Sequence, residues 1–335
     1  MSARRRLGSL LIMSLWLVAI LSILAVAVAR SLSVDIRLAK YRQAHDEARA
    51  LARSGIYLAM QQLARDAAAP EADGKVYDWL GDEWAGVPGT DPDVEPGQWL
   101  IRFPGTGRDT ARFPGEVRIR VADEAGKLHL NTATKEQLVA LTDNEMLAQE
   151  ILDARDGPDP AEDRPDDATP YFAKNGPFAA PAELSDLPGM TPEAYDTLQK
   201  QASPYTPATA PININTVTPD VLDAVGLSGS AVSLITRFRE GTDGPDAHEQ
   251  DGVFTEAGLT ILQVLKDAQG VDLTGTPDGN LLTSTEFGVS SDVFTIVSEG
   301  AAERPAMRCR VEAVVRRAGC SDGAIPPCIV AWREG

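Results

Sequence analysis

The sequence predicts an α+β fold in which one long N-terminal helix backs an antiparallel sheet, with a large all-α insertion dividing that sheet in two. Three observations carry this expectation. An uncharged apolar run near the start continues, without a proline, into a polar stretch of helical periodicity. Strand-like alternation appears twice, near residues 98–121 and again near 293–332. Between the two lies a duplicated pattern of short helices. A chain of 335 residues has room for such an arrangement.

The N-terminal element comes first. Arg4, Arg5 and Arg6 precede the 23 uncharged residues from Leu7 to Ala29, and Arg30 closes the run. A helix of that length rises about 34 Å, enough to cross a hydrocarbon core of about 30 Å. The arginine cluster predicts a cytoplasmic N-terminus with the body on the far side. Three readings are open for this run. It could be a cleaved secretory signal, with Ala25-Val26-Ala27 or Ala27-Val28-Ala29 as the processing site. It could be a plain membrane anchor. It could also be a prepilin-type N-terminus, in which a short basic leader is cut at Gly8-Ser9 and the apolar helix is retained. Continuity favours the third. From Ser31 to Asp66 there is no proline and Gly55 is the only glycine. Ala44, Ala48, Leu51, Gly55 and Leu58 recur with helical spacing, so one helix is expected from about Ser9 to about Arg65. The small residues of that stripe allow another element to approach closely.

Charge divides the chain. Residues 1–65 are net +7, 66–126 net −7, 127–270 net −15 and 271–335 net −3, for a total of −18. An acidic body argues against nucleic-acid binding, which normally leaves a basic footprint. Catalytic signals are absent from the sequence. His45, His129 and His248 are scattered, and no HExxH, CxxC, phosphate-binding GxxxxGK[ST] or GxSxG pattern occurs. No enzyme is expected.

The first β portion follows a stretch rich in Gly, Pro and Asp, in which Trp79, Trp84 and Trp99 are expected as buried anchors. Gln98–Phe103 (QWLIRF) and Glu116–Val121 (EVRIRV) alternate with period two and read as a hairpin. Arg118 and Arg120 alternate with Val117, Ile119 and Val121, so one face is expected to be buried and one wet.

The middle repeats itself at an offset of 84 residues. Leu130-Asn131-Thr132 matches Ile214-Asn215-Thr216, Leu138 matches Leu222, Ile151 matches Ile235, and Arg155 matches Arg239. Thr134 is placed as an N-cap with Gln137 three residues on, a capping-box pattern. Thr218 is placed likewise, followed by Pro219 at the first helical position. Each copy reads as helix, turn, helix, acidic loop and a Phe-led segment (from Phe178 and from Phe254). Such helix-hairpin-helix units often hold DNA phosphates on a Gly-h-Gly turn. Here the second glycine is missing from both Gly189-Met190-Thr191 and Gly226-Leu227-Ser228, and the region is acidic, so a packing scaffold is expected and DNA binding is not.

The acidic loops share Asp-Gly-Pro-Asp. The first offers Asp156, Asp159, Glu162 and Asp163, and the second Asp243, Asp246, Glu249 and Asp251. Clustered carboxylates on kinked loops could supply oxygen ligands to Ca²⁺. The spacing is not that of an EF-hand, and a solvated acidic loop is the competing reading. After Gly270 the chain returns to strand patterns at Val293–Val297, Met307–Arg316 and Cys328–Trp332, expected to complete the first sheet. Cys320 and Cys328 bracket a Pro-Pro turn and are candidates for a disulfide in an oxidising compartment, although other pairings are possible. Cys309 is expected as a buried thiol.

In order and kind, these features resemble the minor pseudopilin K of the type II secretion system (the general secretion pathway protein K family). The resemblance spans the chain: the Arg-rich leader to Gly8, the apolar run from Ser9, the Ala/Gly stem, the split β domain, and the insertion with its Leu130-Asn131-Thr132 and Ile212-Asn213-Ile214-Asn215-Thr216 signatures. It implies a pilin-like fold with a leader (1–8), a transmembrane and stem helix (9–65), a first β part (66–126), a helix-hairpin-helix or SAM-like insertion (127–285) and C-terminal strands (286–335). It implies cleavage after Gly8 by a prepilin peptidase, methylation at Ser9, and a single-pass inner-membrane protein with a periplasmic head. Partners would be the minor pseudopilins of types I and J and other pseudopilins, at the pseudopilus tip. Most pilin-like subunits carry glutamate at the fifth mature position, whereas this chain has Met13, a departure characteristic of the K type. A minor pilin of a type IV pilus and a membrane-anchored DNA-binding protein are the alternatives.

Overall fold

The computed structural model describes residues 3–68, 76–86, 97–103, 115–156, 174–241, 252–303, 305–318 and 327–335. Helix α1 (Ala3–Ala68) runs unbroken for 66 residues. Strands β1 (Gln98–Phe103) and β2 (Gly115–Asp123) follow. The inserted region contains β3 (Leu128–His129), α2 (Lys135–Thr142), α3 (Glu145–Asp156), α4 (Pro192–Gln201) and β4 (Ala202–Ser203). Its second half contains β5 (Ile212–Asn213), α5 (Pro219–Val225), α6 (Gly229–Glu240), α7 (Leu259–Gln269), α8 (Pro277–Leu282) and β6 (Phe287–Gly288). Then come β7 (Val293–Glu303), β8 (Ala306–Arg316) and β9 (Cys328–Glu334).

The two β portions form one antiparallel sheet of order β1-β2-β7-β8-β9. The insertion therefore leaves at the end of β2 and returns to the neighbouring strand β7, so its two connections sit side by side. Alternation in β2 does what the sequence promised: Val117, Ile119 and Val121 are buried. With Phe294, Ile296, Val311, Ala313 and Val315 they meet Ala52, Ile56, Ala59 and Leu63 of α1. Trp84, on a short 3₁₀ turn (Glu83–Ala85), closes this core edge-on against Phe294 at 5.0 Å. Trp79 and Trp99 are only half-buried, so one of the three expected tryptophan anchors is fully interior.

The helix stripe also differs in detail. Ala44, Ala48 and Gly55 are buried as expected, but Leu51 is half-buried and Leu58 is 37% exposed. The buried line is Ala44, Ala48, Ala52, Ile56, Ala59 and Leu63. A 3.5-residue pattern drifts around a straight helix. This helix lies on a twisted sheet rather than in a coiled coil, and its contact line follows the longer period. Small residues do allow close approach. A Cβ at Gly300 would collide with the backbone of Ala48 and Ala52, and one at Gly55 with Ser298 and Val117.

In the insertion the two repeats share one apolar core, from Leu130, Leu138, Leu147 and Ile151 through Ile214, Leu222, Ile235, Phe254 and Leu265. Thr134 forms a full capping box with Gln137, and Thr218 caps α5 ahead of Pro219. The turns after α2 and α5 pass through left-handed residues, Asp143 (φ 49°) and Gly226 (φ 108°). Two small parallel ladders, β3–β4 and β5–β6, close the repeats. They carry no sequence signal, since two residues are too few for a period.

Candidate functional site

From Leu11 to Gln43, α1 packs against nothing among the described residues. Leu11, Met13, Leu15, Trp16 and Ile23 are each at least 65% exposed, and side chains stay open to solvent through Tyr41. It is the one helix among the described residues long and apolar enough to cross a membrane. Ser14 and Ser22 return their hydroxyls to the carbonyls of Leu11 and Val18, which satisfies them without water. Gly8 and Ser9 lie within the helix, about one turn before Met13. Burial begins only at Ala44. One element therefore serves two environments: an unpartnered apolar rod below and the spine of a sheet above.

The end of β9 is fastened to that spine. Glu334 accepts hydrogen bonds from Arg49 Nε at 2.6 Å and Arg53 Nε at 2.7 Å. The Arg53 and Arg49 guanidiniums hold its carboxyl down, at about 2.

A second junction joins stem, sheet and insertion around Asp78 and Asp123. Arg317, just past β8, donates Nη1 to Asp78 Oδ1 (2.6 Å) and to Asp66 Oδ2 (2.9 Å), and Nη2 to Asp78 Oδ2 (2.7 Å) and the Ser291 carbonyl (2.6 Å). Its face lies over the Phe294 ring at 5.2 Å. Burial works against its charge, but the hydrogen bonds and charge of Asp78, backed by Asp66 and Asp123, raise its pKa. Asp66, Asp78 and Asp82 converge there, and Arg317 supplies counter-charge to the first two. Asp82 instead takes the Trp84 indole N–H (3.0 Å) and the Trp79 amide (2.9 Å). Burial pushes its carboxyl up to about 7, those bonds offsetting part of the cost.

Asp123 ends β2 and receives the insertion. Its Oδ2 accepts from Thr216 Oγ1 (2.5 Å), Ser291 Oγ (2.6 Å) and Asn213 Nδ2 (3.1 Å), and its Oδ1 from the Ala125 amide (2.8 Å). Burial pushes it up to about 6 despite these donors. Asn213 also donates to the Asp78 carbonyl at 3.1 Å. The Ile-Asn-Ile-Asn-Thr signature is thus a clasp between insertion and sheet. The signature is legible in the sequence, but its acceptors, the Asp78 carbonyl and the Asp123 carboxylate, lie 135 and 90 residues away.

The repeated Asn and Arg positions have matching work. Asn131 spans the Phe178 backbone, donating to its carbonyl (3.0 Å) and accepting its N–H (2.7 Å). Asn215 spans Phe254 in the same way, both bonds at 2.9 Å. Arg155 Nη1 bonds the carbonyls of Leu130 and Ala133. Arg239 Nη1 bonds those of Ile214 and Val217, the same pair 84 residues on. These residues are architectural, each satisfying backbone that the fold buries.

At the turns before α4 and α6, carboxylates meet the backbone amides: Glu150 accepts from the Gly189 N–H (2.8 Å) and Asp278 from that of Ser228 (2.9 Å).

Of the proposed Ca²⁺ ligands, only Asp156 is described, and it pairs with Arg155 at 2.6 Å. Asp159, Glu162, Asp163, Asp243, Asp246, Glu249 and Asp251 lie outside the described residues, as does Cys320. Cys328 is buried and disulfide-bonded, and Cys309 is a free buried thiol.

No family model matches the chain, and no curated protein matches it. Among solved structures it is similar to a chain of the crystal structure of the GspK-GspI-GspJ complex from the enterotoxigenic Escherichia coli type 2 secretion system. Identity is 17% and the TM-score 0.59, over 89% of this chain and 99% of that one. At this identity the likeness establishes the fold, a pilin-like α+β fold.

Proposed function

We propose that this chain is a minor pseudopilin of a type II secretion system, placed at the tip of the pseudopilus, where it starts assembly and supports export of folded proteins. The observation that carries the proposal is the single helix α1, bare and apolar below and sheet-backed above, within a fold shared over 89% of the chain with a subunit of a minor pseudopilin complex. An apolar rod of this length leaves a membrane favourably only where other apolar surface, such as that of neighbouring rods, covers it.

In this role, prepilin peptidase cleaves after Gly8 and Ser9 becomes the methylated amino terminus. The rod spans the inner membrane once and the head stands in the periplasm. Minor pseudopilins of types I and J are its neighbours. Met13 replaces the glutamate that would pair with the amino terminus of an adjoining subunit, and a tip subunit has no use for that acid. A carboxylate with no partner in the bilayer is also costly. The insertion, tied to the sheet at the Asp123 and Arg317 junction, would block further stacking above it. The role is non-enzymatic. The carboxylates at the turns before α4 and α6 and the acidity of the insertion support a structural rather than a DNA-binding use of these helices.

Deleting the gene tests the function. Secreted enzymes should accumulate in the periplasm, and the full-length chain should restore export and co-purify with the type I and type J pseudopilins. Loss of surface pili with secretion intact would assign the chain to a type IV pilus instead.

A further inference from the structure

Strand β9 ends the sheet, and no described strand pairs with its outer edge. An open edge offers unpaired N–H and C=O groups to any extended segment, and proteins usually guard it with proline, inward charge, a bulge or a covering element. β9 is seven residues long, has no proline, and leaves Ile329, Val330 and Trp332 between 37% and 44% exposed. Its guard is the irregularity opposite Val314/Val315.

The direction of its amides follows from one bond. Gly335 donates its N–H inward to the Arg310 carbonyl. Backbone groups alternate sides along a strand. Arg333 therefore also faces β8, while Trp332 and Glu334 turn their N–H groups outward.

The charge around the edge is opposite in sign to that of the acidic body. Glu334 serves both Arg49 and Arg53, and Glu312 serves both Arg310 and Arg333. Two carboxylates answer four guanidiniums, a local excess of positive charge on a chain of net −18. Beside the strand, a cleft of about 240 Å³ opens between the sheet and α4, lined by Tyr195, Gln199, Tyr205, Glu312 and Arg333 among others. Added strands gain affinity from main-chain bonds and specificity from pockets that take alternate side chains. Paired edge to edge, a second copy of this chain would bring like charge rather than the acidic complement.

We propose that β9 is an open pairing edge, and that an extended acidic segment of a different subunit of the assembly adds to the sheet there as a sixth strand. That the occupant is a pseudopilus subunit rests on the tip assignment.

The test mixes the full-length chain, in detergent micelles, with purified type I and type J minor pseudopilins of the same organism and follows hydrogen exchange over β9. Exchange at Trp332 and Glu334 should slow by about tenfold or more in the complex, as expected for newly bonded amides. Trp332→Pro removes an outward N–H and spares the inward bonds, whereas Trp332→Thr removes the indole and keeps the N–H. Trp332→Pro should weaken the complex about tenfold more than Trp332→Thr, the loss expected for an unmade main-chain bond. A complex that forms with β9 exchange unchanged overturns the pairing and leaves the tip assignment standing. Absence of any complex removes both. Protection that appears in the chain alone and grows with its concentration overturns the heterologous partner in favour of a second copy.

Discussion

Arg317 and Asp78 face each other through two hydrogen bonds, at 2.6 and 2.7 Å, with side chains only 9% and 1% exposed. Asp78 follows the stem helix, Arg317 follows β8, and Ser291, bonded to both, closes the insertion. One ion pair therefore ties the three parts of the head together. Breaking a buried pair from one side strands a charge, at a cost of about 3–5 kcal/mol. Arg317→Ala should lose that much in denaturant titration. Replacing both partners, Arg317→Met with Asp78→Asn, should cost clearly less than Arg317→Ala. Equal losses would mean the pair does not act as a unit.

The buried acids set a pH dependence. Asp82 is pushed up to about 7 and Asp123 to about 6 by burial, against about 3.9 in an unfolded chain. A raised folded value favours the protonated form in the fold. The stability these groups contribute is complete below the unfolded value and is lost as pH rises through 6 and 7. The urea midpoint should therefore rise from pH 8 to pH 5. Asp82→Asn with Asp123→Asn should flatten that slope. A midpoint that falls over the same window in the native chain would contradict the assignment.

The two asparagine latches should differ in strength. Asn215 is 4% exposed and Asn131 is half-buried, so Asn215→Ala strands the backbone of Phe254 further from water. Each loss falls within about 1–3 kcal/mol, the cost of an unsatisfied buried group, with Asn215→Ala the larger. Faster amide exchange at Phe254 in Asn215→Ala, and at Phe178 in Asn131→Ala, is the local readout.

The sequence exposed these latches as a repeat without giving their purpose. Asn131, Arg155 and their counterparts stood out because duplication keeps what the backbone needs, and the caps at Thr134 and Thr218 were readable because capping is local. The clasp at Asp123 was not readable. Its donors come from Asn213, Thr216 and Ser291, distant in sequence, and nothing local marks an aspartate at a strand end as a receiver. The sequence spacing sets the stripe on α1 about a quarter-turn off toward its end, because whether a helix lies on a sheet or a helix decides the period, and that is a tertiary fact. β7 runs to Glu303, beyond the alternation read at Val293–Val297, since Gly300 and Ala301 carry no hydrophobic signal yet pair with β2 and β8.

Close packing of α1 on the sheet predicts intolerance at Gly300. Gly300→Val places methyls against the Ala48 and Ala52 backbone, which cannot yield as a side chain would. The expected loss is about 1–3 kcal/mol or more, the usual cost of overpacking, read as a fall in melting temperature. An unchanged melting temperature would show that helix and sheet are looser than described.

The most direct measurement is the mass of the mature amino terminus, taken on native protein recovered from membranes. Retention of the apolar rod predicts a chain that begins at Ser9, with a methylated amine. A chain that begins near Arg30 would mean the rod is discarded as a signal peptide, and the assembly role would be wrong.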